Sequence, residues 1–271
     1  MENSPYRDTA VADAYERLAV PLQFAAPARD LVAAVRLRAG QRVLDVGTGT
    51  GPAARAAAAA VGPAGCVIGI DPSLEMLARL GEKGAVKTVA ARAPDLPFRD
   101  SSFDAVIANF VLSHVENVAH ALSQMVCVLR PGGALGVTSW GAGATPVSSL
   151  WSELVARFTS AAALQREFET VIPWDRWFSN GTNLHKALTE AGLRDVEIAC
   201  RDYSVTVSAA DYASMKEGGV EGVLLRRQLG EPGWQRFRDA LVDGFRARFG
   251  GSLTYARDAY IAAGTRPVGW R

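Results

Sequence analysis

The chain has 271 residues, 49% of them hydrophobic, a formal net charge of +1 and three cysteines. That length and apolar content suit one large open α/β domain, and the near-neutral charge excludes the basic excess of a nucleic-acid binder. Arginines gather late, at Arg226, Arg227, Arg236, Arg238, Arg246 and Arg248, but acids interrupt them along predicted helices, which makes them a solvated face.

Cys66, Cys127 and Cys200 lie in apolar contexts without paired spacing. They read as free buried thiols of a reducing compartment, not as a disulfide frame or a zinc site. The start, Met1 to Arg7, is polar and lacks the apolar core of a secretory leader. The longest low-charge stretch, Ala53–Val61, carries Arg55 and falls far short of the roughly 20 apolar residues of a membrane span. The expectation is a soluble cytoplasmic protein with no membrane or nucleic-acid partner.

In chain order, residues 10–38 read as helical, with Val11, Tyr15 and Leu18, then Leu31, Val32 and Val35, on repeating faces. Pro21 and Pro27 are expected to break this stretch into at least two pieces. Apolar runs at 43–46, 67–70, 86–90, 103–109 and 134–139 then alternate with helices. One of these helices, 118–129, shows Val118, Ala121, Leu122, Met125, Val126 and Leu129 on one stripe behind a candidate N-cap at Asn117. Arg130-Pro131-Gly132-Gly133 stops it. Such alternation predicts a parallel sheet covered on both faces.

Regularity fails after Trp140. Residues 141–180 hold Trp151, Phe158, Phe168, Trp174, Trp177 and Phe178 before a short helix at 184–190 and a strand at 196–207. A second interruption, 208–250, ends in an amphipathic helix starting at Pro232, with Trp234, Phe237, Leu241, Phe245 and Phe249 on one face. The last strand is expected at 254–265. The whole reads as a single domain over 1–271, with N-terminal helices in 1–40 over the site and a cofactor core at 41–140. Insertions at 141–180 and 208–250 would cap one end of the sheet.

The chemistry concentrates where the first strand meets the first core helix. Val43-Leu44-Asp45-Val46 ends a buried strand, and Gly47, Gly49 and Gly51 follow at alternate positions. Glycine serves where the backbone turns sharply and a ligand must approach it closely. Asp71 ends the next apolar run, 20 residues after Gly51, where a doubly wound fold places a ribose-binding carboxylate.

With these residues the chain resembles the class I S-adenosylmethionine-dependent methyltransferases, in the small-molecule branch that includes quinone-pathway enzymes. The matching segments are Val43 to Gly51, Gly69-Ile70-Asp71, Asp95-Leu96-Pro97-Phe98 with Ser102-Phe103-Asp104, and Val128 to Gly133. Their order and spacing agree over residues 41–140; beyond that only the general layout does. The resemblance implies a doubly wound, mostly parallel, seven-stranded Rossmann-like sheet with an antiparallel last strand and a helical cap. It implies S-adenosylmethionine as cofactor, leaving as S-adenosylhomocysteine. Gly47, Thr48, Gly49 and Gly51 would bring backbone against its methionine and ribose parts. Asp45 would orient its ammonium through water or backbone, Asp71 would accept from both ribose hydroxyls, and Pro72 and Met76 would pack on the adenine. The carbonyl of Asn109 would face the ammonium. At Arg92 the chain departs from the family, where many relatives carry an Asp that receives the adenine amino group. Arginine cannot accept that bond, so adenine recognition falls to the Ala93 amide and to packing, with Arg92 as a neighbour.

A sulfonium methyl is already activated, so alignment is the main task, and a hydroxyl nucleophile gains from a general base. His114, on the loop after the fourth strand, is the candidate base or substrate contact; its plainer reading is a structural loop histidine. His120 and His185 read as surface residues. Tyr6, Tyr15, Phe24, Trp140, Trp151, Trp174 and Trp177 could wall a large apolar pocket, although each alone is better read as cap packing. No grouping has metal-ligand spacing. The expectation is therefore metal-independent methyl transfer to a hydrophobic or aromatic small molecule of secondary metabolism, on oxygen first and carbon close behind. One alternative is a catalytically silent cofactor-binding or scaffolding protein, kept open by Arg92. A nicotinamide oxidoreductase is disfavoured by Asp45 inside the strand and the lack of a Tyr/Lys pair. The N-terminal helices are candidates to close the site or to exchange within a homo-oligomer.

Overall fold

The computed structural model describes residues 6, 8–81 and 86–269. The reading of a polar, leaderless start rests on residues 1–5 and 7, outside that set, with Tyr6 alone described. The strands β1 (Arg42–Val46), β2 (Cys66–Asp71), β3 (Lys87–Ala90), β4 (Phe103–Asn109), β5 (Leu129–Trp140), β6 (Arg194–Ser208) and β7 (Ser252–Thr265) form one sheet in the order β3-β2-β1-β4-β5-β7-β6. β1 and β4 are apolar runs buried almost throughout, as central strands of a sheet covered on both faces must be. The pairs from β3 to β5 are parallel, and β7 runs antiparallel to both β5 and β6.

Two cores enclose the sheet. On one side α5 (Val118–Val128) and α9 (Gly181–Glu190) pack their apolar stripes on it through Leu122, Met125, Leu184 and Leu188. On the other, α2 (Ala25–Val35) and α3 (Pro52–Val61) do so through Leu31, Val35, Ala54 and Ala57. The strand order reverses between β1 and β4, so the carboxyl ends of those two strands flank the crevice where such folds take their ligands.

The N-terminal stretch is not broken by its prolines. α1 (Thr9–Ala14), a π-helical segment (Tyr15–Phe24) and α2 run on without interruption, with Pro21 inside the π-helical segment. A wider turn there tolerates the missing N–H and the ring that would clash in a regular helix. Undivided, Thr9–Val35 is long and apolar enough to cross a membrane by length and composition, a property that a break at either proline would remove. In the fold its face bearing Ala28, Leu31, Val32 and Val35 packs on the sheet. The thiols also differ from expectation: Cys66 and Cys127 are half-buried and Cys200 is exposed, because β6 is the edge strand.

A third core lies beyond the strand ends. α6 (Pro146–Phe158), α7 (Ala161–Val171), α10 (Ala209–Glu217) and α11 (Val220–Phe249) gather Trp151, Leu154, Tyr212, Trp234, Phe237 and Phe245. α11 is two helices joined at Gly230, whose φ of 65° breaks it, and the second starts near Pro232 as the sequence indicates. The base of this cap is the sheet itself. β5 and β7 pair only as far as Trp140 opposite Ala259, while β6 follows β7 to Ser208 opposite Ser252. The two-stranded overhang supplies Val205, Val207 and Tyr255 to the cap core.

Trp234 is fully buried and stacks on Phe237, with ring centroids 5.7 Å apart. Trp234→Ala should lower stability by about 3–5 kcal/mol, read as a reduced midpoint of urea unfolding. A loss below about 1 kcal/mol would show that the cap core is not coupled to global folding.

Candidate functional site

The glycine loop is shaped by its own sterics. Gly47, Gly49 and Gly51 all have positive φ, at 64°, 56° and 90°. A Cβ on Gly47 would come within 2.5 Å of Val111, and one on Gly51 within 2.2 Å of Leu80, but one on Gly49 would meet nothing within 4 Å. Gly47 and Gly51 are thus fixed by packing, whereas Gly49 lies against open space. That space is a cavity of about 740 Å³ bordered by Gly47, Gly49, Asp71, Pro72, Met76, Arg92, Ala93 and Asn109. The carboxyl ends of β1, β2, β3 and β4 all reach it.

Asp71 holds the loop in place. One carboxylate oxygen accepts the Gly49 N–H and the other the Ser73 N–H, each at 2.9 Å. Each oxygen keeps a second lone pair, and Asp71 borders the cavity, so a diol could still be accepted there. Burial raises its pKa, opposed by those two backbone bonds. Ser73 in turn donates to the Tyr6 carbonyl at 2.6 Å, tying the N-terminus to the site. Arg92 and Glu116 both border the cavity and face each other at 3.8 Å. Asn109 accepts a bond from Thr138, which itself accepts the Phe110 N–H. The Asn109 side chain therefore fastens β4 to β5.

Asp45, Thr48 and Gly51 do not reach the cavity wall. Asp45 is sealed behind the loop: one oxygen accepts from Thr48 at 2.7 Å and the other has no bonded partner. The nearby Ala54 N–H of α3 and the Thr48 bond only partly offset its burial, which pushes its pKa up to about 7.

A second cavity, of about 390 Å³, lies under the cap and holds Phe24, Trp140 and Trp151 in its wall. Tyr6, Tyr15, Phe110 and His114 border both cavities. His114 meets Tyr6 edge-on at 5.9 Å, and Tyr15 stacks on Phe24 at 5.0 Å. Desolvation lowers the His114 pKa to about 4, so the imidazole is neutral at physiological pH. The same burial raises Tyr6 to about 12. His120 and His185 are exposed.

Two expected wall residues are elsewhere. Trp174 and Trp177 pack edge to face at 5.9 Å against the sheet core, and the Trp174 ring N–H points at the Glu116 carbonyl. Their neighbours Ile172 and Asp175 border the second cavity instead. Nor is that cavity wholly apolar, because Gln23, Asp175, Lys216, Glu221 and Arg257 also border it. None of these is marked by a motif. Phe110 is equally unmarked in sequence as a wall residue: its φ of 58° is rare for a bulky side chain, and Thr138 holds it there.

A methyltransferase-domain family model matches residues 44–137. The demethylmenaquinone methyltransferase of Staphylococcus aureus is 33% identical over 196 residues, which is 69% of this chain and 80% of that protein. A protein of Anaeromyxobacter dehalogenans assigned as a type II methyltransferase shares the fold with a TM-score of 0.63 at 18% identity, over 91% of this chain and 98% of that one. Phosphoethanolamine N-methyltransferase 2 of Haemonchus contortus, solved with S-adenosylhomocysteine, aligns with a TM-score of 0.51 at 21% identity, over 88% of this chain and 52% of that one.

Asp45 gives a signed pH dependence. With its folded pKa raised from 3.8 to about 7, its contribution to stability is complete below pH 4 and is lost as pH rises through 7. Asp45→Asn keeps an acceptor for Thr48 and has no charge to desolvate. Relative to it, the wild type should lose on the order of 2–4 kcal/mol between pH 4 and pH 8, measured by urea unfolding. Parallel pH curves for the two proteins would refute the assignment.

Proposed function

The chain belongs to the S-adenosylmethionine-dependent methyltransferases, and from that premise we propose that it methylates a small aromatic acceptor held in the chamber under its cap. The observation that carries this reading is the wall of Tyr6, Tyr15, Phe110 and His114 common to the two cavities. Two ligands, one on each side, would meet at that wall. We take the acceptor to be a secondary metabolite methylated on oxygen, with carbon as the close alternative. The S. aureus relative, by its name, acts on a quinone, which supports an aromatic or quinonoid ring.

The glycine-loop cavity suits the cofactor on its own terms. Open space at Gly49 lets a ligand touch backbone, and Asp71 offers one acceptor site per oxygen to a vicinal diol. Pro72 and Met76 would give an apolar surface for a purine, and Ala93, whose main chain would meet the purine edge, borders the same cavity. Arg92, engaged with Glu116, leaves the purine edge to that main chain. Asp45 and Thr48 act through the loop they stiffen. When bound, the cofactor supplies a methyl on sulfur that passes to the acceptor nucleophile, the bonding pair staying on sulfur and the acceptor proton leaving. His114, neutral and on the common wall, is placed to take that proton or to orient the hydroxyl that loses it. A base with a pKa near 4 is available at every physiological pH but is weak, so its effect belongs at the low end of the general-base range.

Asp71→Ala should weaken S-adenosylmethionine binding by about 2–3 kcal/mol, through lost charged hydrogen bonds and a looser loop. Calorimetric titration tests this, and an unchanged affinity would remove the diol role. His114→Ala should lower turnover by about 10²-fold with cofactor affinity intact. The wild-type rate should be flat from pH 6 to 9 as far as this group is concerned and should fall only as pH drops toward 4. Full activity in the variant would reduce His114 to a loop residue. Cofactor binding with no transfer to any acceptor would favour a silent binding protein.

A further inference from the structure

Under the cap there is a cation that transfer to a neutral acceptor leaves unused. Arg257 lies on the β7 overhang, past the last β5 pairing at Trp140 opposite Ala259. Its guanidinium sits 3.6 Å from the centroid of the Trp140 ring, and Trp140 stacks on Phe110 at 4.0 Å and 21°. Because one face of the indole is taken by Arg257 and the other by Phe110, an acceptor must lie beside this stack, not within it. Only the indole ring separates the guanidinium from the wall where transfer would occur.

The guanidinium is partly satisfied. One terminal N–H group donates to the Gln23 side chain. Lys216 takes Glu221 and also lies 4.4 Å over the Trp151 ring. Asp175 acts on Arg257 through space without a bond. None of the other guanidinium nitrogens is both sealed from solvent and unpaired, so they reach open space, and the space that Arg257 borders is the chamber. Burial disfavours the charge on Arg257. A desolvated fork with free donors is best offset by an oxyanion of matching planar geometry.

We propose that the chamber selects an aromatic acceptor bearing a single carboxylate, which Arg257 grips with its fork while the ring lies along the Trp140–Phe110 stack toward His114. The balance of charge favours a monoanion. Lys216 and Glu221 cancel each other, and burial disfavours the charge of Asp175, which leaves the single positive charge of Arg257 to be met. The inference rests on the two-chamber reading above, since it names the acceptor class for that same site.

Matched pairs of hydroxylated benzoates, indole carboxylates and naphthoates with their primary carboxamides test it. Each is added to protein saturated with S-adenosylhomocysteine, and binding is read by saturation-transfer NMR and calorimetry. The acids should bind at least about tenfold tighter than the amides. That preference should vanish in Arg257→Gln and shrink in Arg257→Lys, which keeps the charge but not the fork. S-adenosylhomocysteine affinity, unchanged in both variants, serves as the check on folding; should Arg257→Gln fail it, Arg257→Lys decides. Equal binding of acid and amide, no acid bound at millimolar concentration, or a preference that survives loss of the fork would each overturn the proposal. Failure of the wild type to bind S-adenosylhomocysteine would instead overturn the methyltransferase reading of the first chamber.

Discussion

One reversed strand governs how the site is assembled. Parallel strands all end on the same edge, and by themselves β1 to β5 would leave that edge open to water above the glycine loop. β7 runs the other way, so its first residues are carried past the end of β5, and β6 pairs with them to the last residue. The overhang is a twisted ribbon, too small to be stable alone. It is stabilised by burying Val205, Val207 and Tyr255 beneath the helices of the cap. The ceiling of the second chamber, the indole stack and the placement of Arg257 all follow from that register. A one-residue slip would turn Arg257 to the opposite face.

The second shared constraint is exclusion of water from charge. Asp45, His114 and Arg257 are each displaced toward the neutral state by burial, the first upward and the other two downward. The consequences differ with the partners present. Asp45 has Thr48 and no ligand-facing surface, so its cost is borne by the fold and appears as pH-dependent stability. His114 simply stays neutral, which keeps a cation out of a wall where a positively charged sulfonium would have to approach. Arg257 cannot lose its proton at working pH, so its cost is offset by Trp140, Gln23 and whatever fills the chamber.

The features legible in the sequence are those that the local backbone dictates. The glycine loop, the strand-end position of Asp71, the N-cap at Asn117 and the helix start at Pro232 are local events, each marked by a residue type with few uses besides that one. Of the cavity wall, Gly47 and Asp71 are readable from such local patterns, whereas Pro72, Met76, Ala93 and Asn109 come only from the family resemblance that the motifs carry. Tertiary geometry decides the rest. Trp174 and Trp151 are the same residue type in the same interruption, yet one faces the sheet core and the other the chamber, because helix orientation is set by packing. Pro21 misleads because a π-helical turn leaves no mark in composition. Arg257 escapes notice because its role depends on how far β7 overshoots β5, a register that no local pattern encodes.

Family identity and acceptor choice reside in different parts of this chain. The matched methyltransferase segment, residues 44–137, runs from β1 into β5 and contains the glycine loop, Asp71 and His114. Trp140, Trp151, Asp175, Lys216, Glu221 and Arg257 all fall after it. The matched part holds the glycine-loop cavity, whose geometry is fixed by close packing at Gly47 and Gly51 and by the backbone bonds of Asp71. The later part consists of helices around a separate core, where volume-conserving apolar substitutions cost little and a single charge can be moved to a new position on the wall. Similarity to a quinone methyltransferase therefore identifies the chemistry of the first chamber more firmly than the occupant of the second. The acceptor is decided by a few polar side chains set into an aromatic wall, among them Arg257 at the end of the Trp140–Phe110 stack.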